Sequence, residues 1–145
     1  MRMWNVNPRF LCRAHLLGEH RELHMLAGAL RRGVHLQPLV AHGLIEPYAV
    51  QTRHDLLVAE MEARGFHHRS PLAAEPFAEP LPDGYVCEAV SRAELARRCQ
   101  YCRALQRAAP YQPLRPPHQC AAACAERMRR DQAARPAVPN GIALE

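Results

Sequence analysis

At 145 residues and 16.4 kDa the chain has the size of one domain, long enough to bury roughly two-thirds of its unfolded surface. Hydrophobic residues make up 48% of it, but no run approaches the ~18 apolar residues that a membrane-spanning helix needs. Net charge is +5, with no lysine: all 19 basic side chains counted as Lys+Arg are Arg, which excludes a lysine Schiff base.

Charge is unevenly placed. Residues 1–35 carry 6 Arg against 2 acids, residues 36–90 carry 3 Arg against 8 acids, and residues 91–145 carry 10 Arg against 4 acids. Two basic ends around an acidic middle fit one face for a polyanion, and fit equally an Arg-preferring genome that keeps its proteins in solution. The start MRMWNVNPRF lacks the apolar core of a signal peptide, so the expected location is cytoplasmic, associated with the nucleoid if DNA is the partner. Six cysteines in such a chain point to reduced thiols or metal ligands before disulfides.

Taken in chain order, Asn7-Pro8 predicts a helix start. Leu16, Leu23 and Leu30, with Ala27 between them, recur at helical spacing from about Leu11 to Arg32. Arg31-Arg32-Gly33 closes that helix with cations in the last turn and a left-handed cap. A second helix is predicted from near Pro47 to Arg64, with Leu57 and Met61 on its apolar stripe and Gly65-Phe66 as its stop. Ser70–Gly84 holds four prolines and reads as a linker over the surface. Ser91-Arg-Ala-Glu94 has the form of a capping box and predicts a third helix to about Ala108. Prolines at 110, 113, 116 and 117 then interrupt the chain before a last helix over about 118–133. No segment alternates convincingly with period 2. The expected fold class is all-α: one domain over 1–131, with a core at 1–70, a linker at 71–85 and a Cys-containing helical hairpin at 86–131, then a disordered tail at 132–145.

The hairpin carries Cys99-Gln-Tyr-Cys102 and Cys120-Ala-Ala-Ala-Cys124, close to the spacing of zinc sites. On helices, each pair places two thiols on one face. Two antiparallel helices would then close a structural four-thiolate zinc site at Cys99, Cys102, Cys120 and Cys124, stapling an element too small for its own core. Disulfides and four ordinary thiols are the alternatives. Cys12 and Cys87 read as core residues.

The stretch His15-Leu-Leu-Gly-Glu-His-Arg-Glu-Leu-His24 resembles a helix of the pyrimidine-dimer DNA glycosylase/AP lyase family, the small phage endonuclease V type. The resemblance continues through Gly28-Ala29-Leu30-Arg31-Arg32, returns at Arg53–Phe66 and extends more weakly over roughly 85–100, covering about half the chain well. It implies an enzyme whose first α-amine attacks C1′ of a damaged nucleotide, a pyrimidine dimer in the type members, and whose helix-borne Glu assists. The matching residues are Met1 and Glu22. In phage members the initiator Met is removed; here Arg2 should block removal, which restores the register between amine and carboxylate. Arg2 and Arg21 match phosphate-holding positions, and His15, Arg31 and Arg32 are further DNA-binding candidates. From spacing alone, Glu22 reads as a solvated carboxylate paired with Arg21 or Arg9. The chain departs from phage members at Met25, where they carry an Arg, and in lacking their aromatic, lysine-rich end.

The chemistry is coherent with an α-amine, whose reference pKa of about 7.7–8.0 leaves far more neutral nucleophile near pH 7.5 than a lysine at ~10.4. The expected partner is double-stranded DNA with a damaged base, bound by a monomer that needs no metal for chemistry and no membrane. Two alternatives remain open: a zinc-stapled helical DNA-binding protein without activity, and a glycosylase of the same mechanism for another modified base.

Overall fold

Asn7 and Pro8 begin a 3-10 turn, Pro8–Phe10, and not the long helix. The Asn7 side chain accepts the Arg9 N–H, and Pro8 supplies the fixed φ such a turn uses. The long helix α1 spans Arg13–Arg31. A short α2 at Gln37–Ala41, not anticipated from the sequence, follows it. A 3-10 turn at Pro47–Ala49 then leads into α3, Val50–Ala63. After the proline-rich crossing come α4, Glu88–Arg98, and α5, Gln100–Ala108. The structure, a computed structural model, describes residues 1–116 together with Cys124 and Glu126. Among the described residues there is no strand, and the protein is all-α. Cys120 and most of the predicted last helix lie outside the described residues, as does the tail from residue 132; Cys124 and Glu126 are helical.

Both predicted glycine stops are Schellman motifs. Gly33, at φ +64°, donates its N–H to Leu30, and Val34 donates to Ala29. Gly65, at φ +82°, donates to Glu62, and Phe66 to Met61. A side chain at either position would sit in the left-handed region, which L residues disfavour.

The third predicted helix is corrected. Ser91 does not cap it: α4 starts three residues earlier, after Cys87, and Ser91 is buried in its first turns with its N–H on the Cys87 carbonyl. Glu94 pairs with Arg97 and Arg98. The helix also breaks at Cys99, which is extended at φ −128°, ψ 113°. Its Sγ accepts the Cys102 N–H at 3.4 Å and so caps α5. The break turns both sulfurs of the C-x-x-C inward.

The core is built from the apolar stripes of α1 and α3. Leu16, Leu23, Leu26, Ala27 and Leu30 pack with Val50, Leu57 and Met61, and Met3, Val6 and Leu11 close the N-terminal side. Leu95 and Cys102 bring α4 and α5 into the same cluster. Glu19 and Arg53 lie on these buried stripes too. Their bidentate pair, at 2.8 and 2.7 Å, is almost fully withdrawn from water.

Four imidazoles also cluster where α1, α3 and the segment after α3 meet. His20 lies 4.8 Å from His24, 4.9 Å from His54 and 5.0 Å from His68, ring centre to ring centre. His20 Nε2 meets His68 Nε2 at 3.1 Å, so one of the two nitrogens must be bare. Burial first, then His54, His24 and His68, push His20 down to about 4. His24 is lowered as well, by burial and by His54. A folded-state value below the unfolded ~6.5 means that the unfolded chain takes up the proton first. The stabilisation is therefore complete above pH ~6.5 and is lost as pH falls from there through about 4. Urea midpoints, measured with a chelator present, should drop between pH 7 and 5, and His20→Phe should flatten that slope. An equal slope in the variant would place the proton uptake elsewhere.

Candidate active site

The N-terminal segment is held by two carboxylates one helical turn apart. Glu22 Oε2 accepts the Arg2 backbone N–H at 2.8 Å. Glu19 Oε1 accepts the Trp4 N–H at 2.7 Å. Residues 2 and 4 of an extended chain present their amides to the same side, and residues 19 and 22 share a helix face, so the two periodicities match. The segment is further fixed by Met3 N–H to the Leu44 carbonyl at 2.7 Å and by the Asn5 side chain on Glu46 at 2.9 Å. Arg53, besides binding Glu19, donates to the Val6 carbonyl at 2.7 Å. Every one of these contacts limits where Met1 can lie. Met1 itself is exposed, and Glu22 is half-buried beside the peptide unit that joins Met1 to Arg2.

The arginines divide by environment. Arg21 and Arg32 are exposed. Arg2 is half-buried, with its guanidinium 3.8 Å above the Trp4 ring, an arrangement that stiffens it. Arg31 donates to the carbonyls of Ala73 and Glu75, at 2.6 and 3.1 Å, and so anchors the proline-rich crossing. Met25 is 56% exposed on the turn after Glu22, so apolar surface stands there.

His15 faces inward, toward sulfur. Its Nδ1 lies 3.2 Å from Cys12 Sγ and 3.5 Å from Cys102 Sγ, and its ring meets Trp4 edge-on at 5.7 Å. Burial lowers its basicity, with Glu19 opposing that and Arg98 adding to it. Cys12, read from the sequence as core, joins His15, Cys99 and Cys102 in one group whose donor atoms all lie within 4.8 Å of one another. Cys124 is described and is not among the four. Among the described residues a second such group is His20, His54 and His68.

A sequence model of the family described as pyrimidine dimer DNA glycosylase matches residues 1–74, just over half of the chain. The chain belongs to the pyrimidine dimer DNA glycosylase family. No match was found among curated proteins or among solved structures. The family match covers the N-terminal segment, α1, α2 and α3, and so includes Met1, Glu19, Glu22 and Arg53. Helices α4 and α5, with Cys99 and Cys102, lie outside it. Among the described residues no helix of this glycosylase-family chain is long and apolar enough to cross a membrane.

Sequence reasoning passed over Glu19 and Arg53. A signal was present: Glu19 falls three residues after Leu16 and four before Leu23, and Arg53 four before Leu57, so each sits on an apolar stripe. A charge on such a stripe is an expected buried partner of another.

Proposed function

We propose that the chain is a base-excision glycosylase with AP lyase activity, in which the α-amine of Met1 attacks C1′ of a damaged nucleotide, a pyrimidine dimer first among the candidates. The observation that supports this reading is the 2.8 Å bond from the Arg2 N–H to the half-buried carboxylate of Glu22, one peptide unit from the first residue, in a chain without lysine. The neutral amine forms a bond to C1′ as the C1′–base bond breaks, and the base leaves with the electron pair and takes up a proton. Loss of an amine proton and opening of the sugar ring give an imine. The imine acidifies the 2′ hydrogen; its removal and the breaking of C3′–O3′ cut the strand on the 3′ side.

Glu22 can stabilise positive charge at C1′ and carry the proton in ring opening or elimination. Its fixed bond to the Arg2 amide keeps it aimed there without reorganisation. Arg2, Arg21 and Arg32 suit phosphates on either side of the lesion, since guanidinium binds phosphate in bidentate fashion. The damaged nucleotide must be unstacked for C1′ to be reached, as in other enzymes that act on bases.

Borohydride reduction tests this with dimer-containing and abasic duplexes side by side. A covalent adduct is expected on both, mapping to Met1, and acetylation of the α-amine or an uncleaved N-terminal tag should abolish it. Trapping on the abasic duplex alone would move the lesion assignment to another modified base. An adduct that survives blocking of the α-amine would overturn the mechanism, because the sequence holds no other primary amine.

A further inference from the structure

We propose that Cys12, His15, Cys99 and Cys102 form a structural zinc site that clamps α5 onto the start of α1. Four donors of the right kind converge there: three sulfurs and one imidazole nitrogen, all within 4.8 Å of each other. Three of their six separations are close to the edges of a tetrahedron around zinc. With Zn–S of about 2.3 Å and Zn–N of about 2.0–2.1 Å, tetrahedral angles require S···S of roughly 3.8 Å and S···N of roughly 3.6 Å. Cys12 Sγ to Cys99 Sγ is 3.8 Å, Cys102 Sγ to His15 Nδ1 is 3.5 Å, and Cys12 Sγ to His15 Nδ1 is 3.2 Å. A disulfide needs about 2.05 Å between sulfurs, which the Cys12–Cys99 pair does not approach.

The surroundings suit bound thiolates. The Cys12 backbone N–H points at Cys102 Sγ at 3.3 Å, and the Cys102 N–H at Cys99 Sγ at 3.4 Å. Such donors aimed at sulfur are the outer layer that orients metal ligands. Three thiolates, a neutral imidazole and Zn²⁺ carry a net charge of −1, and the Arg98 cation acts on His15 from α4. Binding would release three protons, one from each thiol, with no change of oxidation state. Three soft sulfurs and one imidazole in a tetrahedron select zinc over the hard cations. Four protein ligands leave no open position, so the role is structural.

The local chain explains how the site forms. Cys12 precedes α1, and His15 lies in its first turn. Cys99 ends α4 and caps α5, and Cys102 lies one turn later. The two C-x-x-H/C pairs thus each open a helix, 87 residues apart along the chain at Cys12 and Cys99. The clamp joins the family-matched half, which carries Glu22 on the same helix as His15, to the half outside the match.

The test uses untagged, full-length protein purified under reducing conditions. About one zinc per chain is expected by elemental analysis. Cobalt(II) exchanged into the wild type should show a strong thiolate-to-metal charge-transfer band in the near ultraviolet, together with the visible bands of a tetrahedral ion. Cys12→Ser and His15→Asn should each weaken cobalt binding by more than the ~10–100-fold of an outer-shell change. Cys87→Ser, Cys120→Ser and Cys124→Ser should leave it unaltered. Three outcomes would overturn the site. One is protein without metal that gives no charge-transfer band with cobalt. Another is a cobalt spectrum of nitrogen ligands alone, which moves the ion to His20, His54 and His68. The third is metal lost from Cys120→Ser or Cys124→Ser but kept by Cys12→Ser. Where a variant fails to fold, the intensity of the wild-type charge-transfer band, which rises with the number of bound thiolates, still separates three sulfurs from the four of a Cys99, Cys102, Cys120 and Cys124 site, and none of these readouts depends on DNA or on the reaction proposed above.

Discussion

Glu22→Gln should bind a dimer-containing duplex with affinity within a few-fold of the parent protein and release the base about 10²–10⁴-fold more slowly. Binding survives because phosphate contacts are borne by arginines and dominate affinity. The amide oxygen of Gln can still accept the Arg2 N–H, so the N-terminal segment keeps its place. The substitution removes the negative charge beside C1′ and the ability to carry a proton, which matter only as the bond breaks. Single-turnover base release, with binding measured separately at fixed salt, checks this. Unchanged base release would return Glu22 to a carboxylate that merely anchors a peptide bond.

Arg53→Ala should cost about 3–5 kcal/mol of stability, the range for removing one partner of a buried ion pair. Glu19 would be left with its side chain wholly buried and its charge uncompensated. The guanidinium also holds the Val6 carbonyl, and Glu19 also holds the Trp4 N–H. For this reason the paired change Glu19→Met with Arg53→Met should not return to parental stability. Each stranded backbone group still costs about 1–3 kcal/mol. The double variant should also trap poorly with borohydride even when folded, because the segment that carries Met1 has lost two of its anchors. Urea denaturation of both variants, with trapping measured well below the midpoint, separates the two effects. A double variant as stable as the parent would reduce the pair to a replaceable piece of core.

The helix stops were legible because they are local. A glycine just past a helix's last turn readily adopts the positive φ of a left-handed cap, and the pairs Leu30–Gly33 and Glu62–Gly65 bond as expected. The helix starts were less so. Asn7-Pro8 fits both a 3-10 turn and an α-helix, and the extended backbone at Leu11 ends it as the former. Ser91-x-x-Glu94 has the form of a capping box, but Ser91 is buried within α4 and Glu94 pairs with Arg97 and Arg98.

The candidate site divides in the same way. The absence of lysine, the motif from His15 to His24 and the place of Glu22 in it are properties of the sequence alone. They specify the chemistry to look for. That Glu22 meets the Arg2 amide, that Glu19 finds Arg53, and that Cys12 and not Cys124 joins Cys99 and Cys102 were decided by tertiary structure. These are contacts between groups 20 to 90 residues apart. No periodicity within one helix encodes them. They exist because burying the α1 and α3 stripes fixes which polar groups leave water together, and groups so placed must take the partners they find.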